Sequence, residues 1–274
     1  MAYVISFVRE RFEKAQQLIY SRSSELFRRE LERQFHTDTL PEWLEIKEVD
    51  QVLFSLKNDK VIVPYGTANA LYIDTPMLLG EDNSDTNPHW NEINDLLQSK
   101  EYRKDNEEVT SIIRSILDGD VEFDDDFSAP FVFKYKRNGD GRVFDLLDCA
   151  TGIKSFSIVQ MLLKLGHISS KTLLVFDEPE AHLHPQWVVE YARMIVLIHK
   201  YIGTKFFIAT HNPDFVSAIR HIAEKEKMLD AVNFYLAQCE EGMYQYTYRH
   251  LGNDIEPIFK SFNLALDRIE EHGR

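Results

Sequence analysis

The chain has 274 residues, enough for one large domain or two small ones with a sizeable core. Its hydrophobic content of 44% and aromatic content of 12% exclude a disordered chain, and no apolar run approaches the roughly 18 residues that cross a bilayer. Net charge is −14, from 45 acids against 31 bases, which argues against a groove that neutralises many phosphates by itself.

Two cysteines far apart, Cys149 and Cys239, fit a reducing compartment better than a disulfide scaffold. The N-terminal "MAYVISFVRERFEKAQQ" lacks the basic lead-in and small-residue cleavage site of a signal peptide. A cytoplasmic protein is the expectation.

Residues 3–36 are charged and helix-favouring, with apolar positions at Phe7, Phe12, Ile19, Leu26 and Phe27. From Leu44 to Ile73 the texture turns to short β-rich pieces, with Asn58-Asp59 as a turn. "NSDTNP" (Asn83 to Pro88) reads as a loop, and helical stretches near 89–117 as an insertion spanning 84–118. "DGDVEFDDDF" (Asp118 to Phe127) has neither the spacing nor the closing Glu of a calcium loop and reads as a solvated acidic turn. "APFVFKY" returns to β, and "NGDG" (Asn138 to Gly141) signals a hairpin before "RVFDLL".

Beyond this point strands and helices alternate. A helix over 152–165 ends at Gly166. "TLLVF" is apolar throughout, as a two-sided central strand requires. A helix over 186–202 aligns Trp187, Val188, Tyr191, Met194, Ile195 and Ile198 on one face and stops at Gly203. "KFFIAT" reads as another buried strand; Asn212 and Pro213 then open a helix as N-cap and first helical residue. "AVNFYLAQ" and "MYQYTYRHL" read as a hairpin around Glu240-Glu241-Gly242, followed by a helix over about 254–271. The pattern predicts an α/β protein with a mostly parallel core sheet.

In such sheets ligands bind beyond the carboxyl ends of the strands. Asp177 and Glu178 sit at one such end, Thr210 and His211 at the next, and the turn "DCATGIKSF" offers backbone N–H groups around Gly152 with Thr151 and Lys154. An acid pair after an apolar strand suits magnesium-dependent phosphoryl transfer. The first acid can hold Mg²⁺ through water, and the second can polarise an attacking water. His211 can touch the terminal phosphate and sense its loss.

"LLVFDEPEAHLHP", "FFIATHNPDF" and "ATGIKSF" together resemble the ABC-type ATPase heads of the SMC, recombination and overcoming-lysogenization-defect groups. The resemblance is dense over 128–220. It implies a P-loop NTPase-like fold, ATP with Mg²⁺, and a homodimer or a partner ATPase subunit completing composite sites, with nucleic acid or a nuclease as further partners and no membrane. By the same resemblance Asp177 is the magnesium acid, Glu178 the catalytic base and His211 the switch histidine. Thr151, Gly152 and Lys154 belong to the signature turn that caps the γ-phosphate across the dimer, and Glu180 to Pro185 faces the partner.

This chain departs from the pattern in two places. Ala150-Thr151-Gly152 stands where the family offers a serine before the small residue and glycine. None of the eleven glycines is followed by lysine, so the Gly-Lys-Ser/Thr cradle is missing. The expectation is therefore the C-terminal portion of a head, without its first strands and P-loop. Two other readings compete. One is a non-hydrolysing regulatory or dimerising subunit. The other is a metal-dependent hydrolase built on His182 and His184 with Asp177, Glu178 and His211. The aromatic hairpin is expected to be packing, and "FRRELERQF" a solvated helix face.

Overall fold

The computed structural model describes residues 29, 32, 44–48, 51–55, 60–61, 69–74, 79, 88–98, 107–123, 133–239 and 246–273. Two compact units divide the chain, residues 1–68 and 69–274. In the first, Arg29 and Glu32 are helical. Strands β1 (Glu45–Glu48), β2 (Gln51–Ser55) and β3 (Lys60–Val61) form an antiparallel sheet in that order. A register shift between Ile46 and Lys47 marks a bulge. The other helical positions expected over 3–36 and the Asn58-Asp59 turn lie outside the described residues.

The second unit runs β4 (Asn69–Ile73), α1 (Pro88–Leu97), α2 (Glu107–Leu117), β5 (Gly119–Phe123), β6 (Phe133–Arg137), β7 (Val143–Asp145), a 3-10 turn (Leu146–Asp148) and α3 (Thr151–Lys164). It continues with β8 (Thr172–Asp177), α4 (Pro185–Ile202), β9 (Lys205–Ala209), α5 (Pro213–Lys225), β10 (Phe234–Cys239), β11 (Tyr246–Gly252) and α6 (Glu256–His272). The strands β4, β8 and β9 pair in parallel with β8 in the middle. The β5-β6-β7 sheet and the β10-β11 pair are antiparallel. This is the mixed α/β architecture with a parallel core sheet that the sequence predicts.

Alternation along β8 buries Thr172, Leu174 and Phe176. Behind them aromatic rings lock α3 and α4 to the sheet. Phe156 meets Tyr191 edge-on with centroids 4.9 Å apart, and Phe176 meets Tyr191 at 5.9 Å and Phe206 at 5.9 Å. Such pairs contribute roughly 0.5–1.5 kcal/mol each beyond the area they bury. As expected, α4 buries Val188, Tyr191, Met194, Ile195 and Ile198, with Trp187 half-buried beside them, and ends where Gly203 adopts φ 82°, a left-handed value that suits glycine. The helices expected near 89–117 are present, and Trp90, Ile93, Leu97, Val109, Ile113 and Leu117 join the common core.

Three expectations are corrected. The acidic stretch opens as strand β5, because Val121 and Gly119 turn inward and Asp120 ion-pairs with Lys164 at 2.5 Å and Arg114 at 2.9 Å. Strand β9 is an edge strand of the described parallel sheet and not a buried one, leaving Phe207 63% exposed. The described tyrosines of the aromatic hairpin are not packed into the core. The register sets Tyr235 opposite His250, Ala237 opposite Tyr248 and Cys239 opposite Tyr246, so one face collects three tyrosines, all exposed.

Candidate functional site

The parallel register brings the acid pair and the histidine together. Asp177 lies opposite Ala209, and the next amide, that of Glu178, donates to the Ala209 carbonyl at 2.8 Å, extending the ladder by one rung. The chain then turns sharply, with Glu178 at φ 47°. That is an uncommon conformation for a residue with a Cβ, and it persists only where its surroundings impose it. The turn swings the Glu178 carboxylate toward the neighbouring strand end, where Oε1 lies 2.7 Å from Nδ1 of His211. Both side chains are exposed. An ionised carboxylate only accepts, so Nδ1 carries the proton in this pair.

Asp177 shares a sheet face with Val175, which lies opposite Tyr72 on β4. The Tyr72 hydroxyl donates to Asp177 Oδ2 at 3.2 Å. Burial, and then the negative charge of Asp177, push the Tyr72 phenol up to about 12, so it stays a donor at neutral pH. On its other side the Tyr72 ring meets the His89 ring at 4.9 Å. Sequence reasoning missed Tyr72. About a hundred residues separate it from Asp177, and only the pairing of β4 with β8 makes them neighbours.

Glu180 is buried, only 5% exposed. Its Oε1 accepts from the Thr210 hydroxyl, and that hydroxyl oxygen in turn accepts from the Asn212 amide at 3.0 Å. Burial holds the Glu180 carboxyl above its ordinary range, partly offset by the Thr210 bond. His182, His184 and Pro185 are exposed. His184 caps α4 by accepting from the Gln186 amide at 3.4 Å. Among the described residues, no three His, Cys, Asp or Glu side chains converge as a zinc site requires.

The signature-like turn forms a second locus, at the N-terminus of α3. A Cβ added at Gly152 would stand 3.0 Å from Cε3 of Trp187 and 3.2 Å from Cδ2 of Leu183. Glycine is what lets this turn approach the segment following β8 so closely. Ala150 caps the helix without a side-chain bond, so the first-turn amides have no such partner from that residue. Lys154 lies near enough to Cys149 for its charge to oppose the upward push of burial on that thiol.

The profile of the family described as "AAA domain, putative AbiEii toxin, Type IV TA system" matches residues 9–217. The chain belongs to this family. It is accordingly an ATPase-like AAA domain. No curated protein matches this AAA-domain chain significantly. Among solved structures it is similar to the Smc head domain of Pyrococcus furiosus bound to the C-terminal domain of ScpA, with 15% identity over 61% of this chain and 37% of that one, and a TM-score of 0.39. The Smc head with coiled coil and joint from Pyrococcus yayanosii gives 14% identity, coverage of 67% and 31%, and 0.41. The SMC head of Thermotoga maritima gives 20%, 47% and 44%, and 0.33. The AAA-domain chain thus spans less than half the length of each of these three proteins. Among the described residues no helix is long and apolar enough to cross a membrane.

Proposed function

We propose that the chain binds and hydrolyses ATP with Mg²⁺ as one head of a dimer with composite sites. The observation carrying this reading is the Glu178–His211 pair, 2.7 Å apart beside Asp177 at the ends of two adjacent parallel strands. Asp177 is an exposed carboxylate that, among the described residues, joins no cluster of three His, Cys, Asp or Glu side chains, so it fits a hydrated hard cation better than zinc. When bound there, Mg²⁺ neutralises phosphate charge. Tyr72 holds the Asp177 carboxylate in place. Glu178 accepts the proton of the attacking water, and His211, donating from Nδ1, fixes the carboxylate.

The first-turn amides of α3, with Thr151, Gly152 and Lys154, suit an anion, and in this reading it is the γ-phosphate of a nucleotide held by the opposing subunit. No Gly-Lys-Ser/Thr turn is present in these 274 residues; a partner or another segment supplies the cradle. Residues 128–220 then form the catalytic core, with 84–118 as a helical insertion.

The test is MgATP titration by calorimetry, on the chain alone and with a cradle-bearing partner or segment, followed by turnover. Binding should require the cradle, and Glu178→Gln should lower turnover by about 100-fold or more. Wild-type turnover in Glu178→Gln would remove Glu178 as the base. The missing Gly-Lys also favours a second reading, a regulatory subunit that lends its signature turn without hydrolysing. Dimerisation with no turnover in any combination would support it.

A further inference from the structure

The Asp177–Glu178–His211 reading leaves one buried acid unused. Glu180 is 5% exposed, and its Oε2 has no hydrogen-bond partner among the described residues. A buried carboxyl with one orphaned oxygen costs stability, and an apolar side chain of similar size fills the space without that cost. Packing therefore does not explain an acid here, and its one bond does. The Thr210 hydroxyl donates to Glu180 Oε1 and accepts from the Asn212 amide, so residues on both sides of His211 are tied through a single oxygen. Asn212 in turn caps α5, accepting from the Asp214 amide at 2.9 Å and the Phe215 amide at 3.2 Å.

We propose that Glu180 is a positioning residue: through Thr210 it holds the His211 loop so that Nδ1 meets the Glu178 carboxylate. The inference rests on the proposed pairing of Glu178 with His211 and deepens it. The turn after β8 is thereby anchored to the β9 loop in two places. The Glu178 amide bonds Ala209, and the Glu180 carboxyl bonds Thr210. After these anchors Ala181 donates to the Glu178 carbonyl at 2.8 Å and Leu183 to the Glu180 carbonyl at 3.0 Å, closing the turn. Leu183 is also, with Trp187, a residue against which Gly152 packs.

The experiment is side-chain ¹⁵N spectroscopy of the full chain with labelled histidine, at about pH 9 so that imidazole is neutral. The His211 signal is assigned with His211→Gln. The wild type should show the Nδ1–H tautomer, and Glu178→Ala should abolish it in favour of Nε2–H. Glu180→Ala should cut the Nδ1–H population at least in half, as should Thr210→Val, which keeps the shape of the loop. Glu180→Gln and Thr210→Ser, which preserve the acceptor and the hydroxyl, should retain it. If Glu178→Ala abolishes the signal while Glu180→Ala and Thr210→Val leave it intact, Glu180 is only a turn residue and the inference fails alone. A wild type lacking the Nδ1–H tautomer overturns both the inference and the pairing beneath it.

Discussion

Gly119→Ala probes strand β5, which the sequence disguised as an acidic turn. Gly119 lies opposite Arg137 in the antiparallel β5-β6 pair. A Cβ there would stand 2.3 Å from Cε2 of Tyr135 and 2.7 Å from the carbonyl oxygen of Lys136. The backbone oxygen belongs to the ladder and cannot retreat freely. To restore van der Waals contact the ring would have to move by roughly 1 Å, which pulls the Tyr135 hydroxyl away from the Leu117 carbonyl it now meets at 2.7 Å. Overpacking costs about 1–3 kcal/mol and the stranded buried bond about 1–3 kcal/mol. The stiffer unfolded chain returns about 0.4–1 kcal/mol. The net expectation is a loss of about 3 kcal/mol, or roughly 6–12 °C in Tm. Urea unfolding followed by circular dichroism, with calorimetry for Tm, measures it. Adding Tyr135→Leu, which removes the ring, should recover part of the loss. A Gly119→Ala protein within about 0.5 kcal/mol of wild type would refute the close approach of β5 and β6.

Other variants test other parts of the molecule. Asn212→Ala removes the acceptor that caps α5 and should cost about 1 kcal/mol in urea unfolding, while Asn212→Asp should lose little. Asp120→Ala leaves Lys164, whose side chain is largely buried, with the Val121 carbonyl at 2.8 Å as its remaining bond, and should cost about 2 kcal/mol; adding Lys164→Met should recover most of it. Glu180 sets a pH dependence. Its carboxyl binds a proton more tightly folded than unfolded, so its contribution is favourable near and below the ordinary value of 4.5 and is lost as pH rises through the raised folded value. The Tm of Glu180→Gln minus that of wild type should therefore shrink as pH falls from neutral toward 4, and an unchanged difference would mean that Glu180 is not buried as described.

Local chemistry was legible wherever one segment carried the whole signal. The apolar run at Thr172–Phe176 could satisfy its neighbours only as a two-sided strand, and Gly203 and the Asn212-Pro213 pair punctuated their helices through backbone preferences that need no tertiary context. The acid pair at a strand end and the histidine one strand later were visible for the same reason. Strand β5 was not, because Asp120 looks solvated until Lys164, 44 residues away, supplies its counter-charge.

What the sequence alone determined was therefore the α/β alternation and the identity of Asp177, Glu178 and His211 as candidates. The tertiary structure alone decided their company. Parallel pairing across about a hundred residues set Tyr72 on Asp177, the left-handed turn at Glu178 aimed its carboxylate at His211, and the same turn drove Glu180 inward onto Thr210. The physical reason is range. Helix and strand preferences act over a few residues of chain, whereas a site is assembled from hydrogen bonds only a few ångströms long between strand ends that the sequence places far apart.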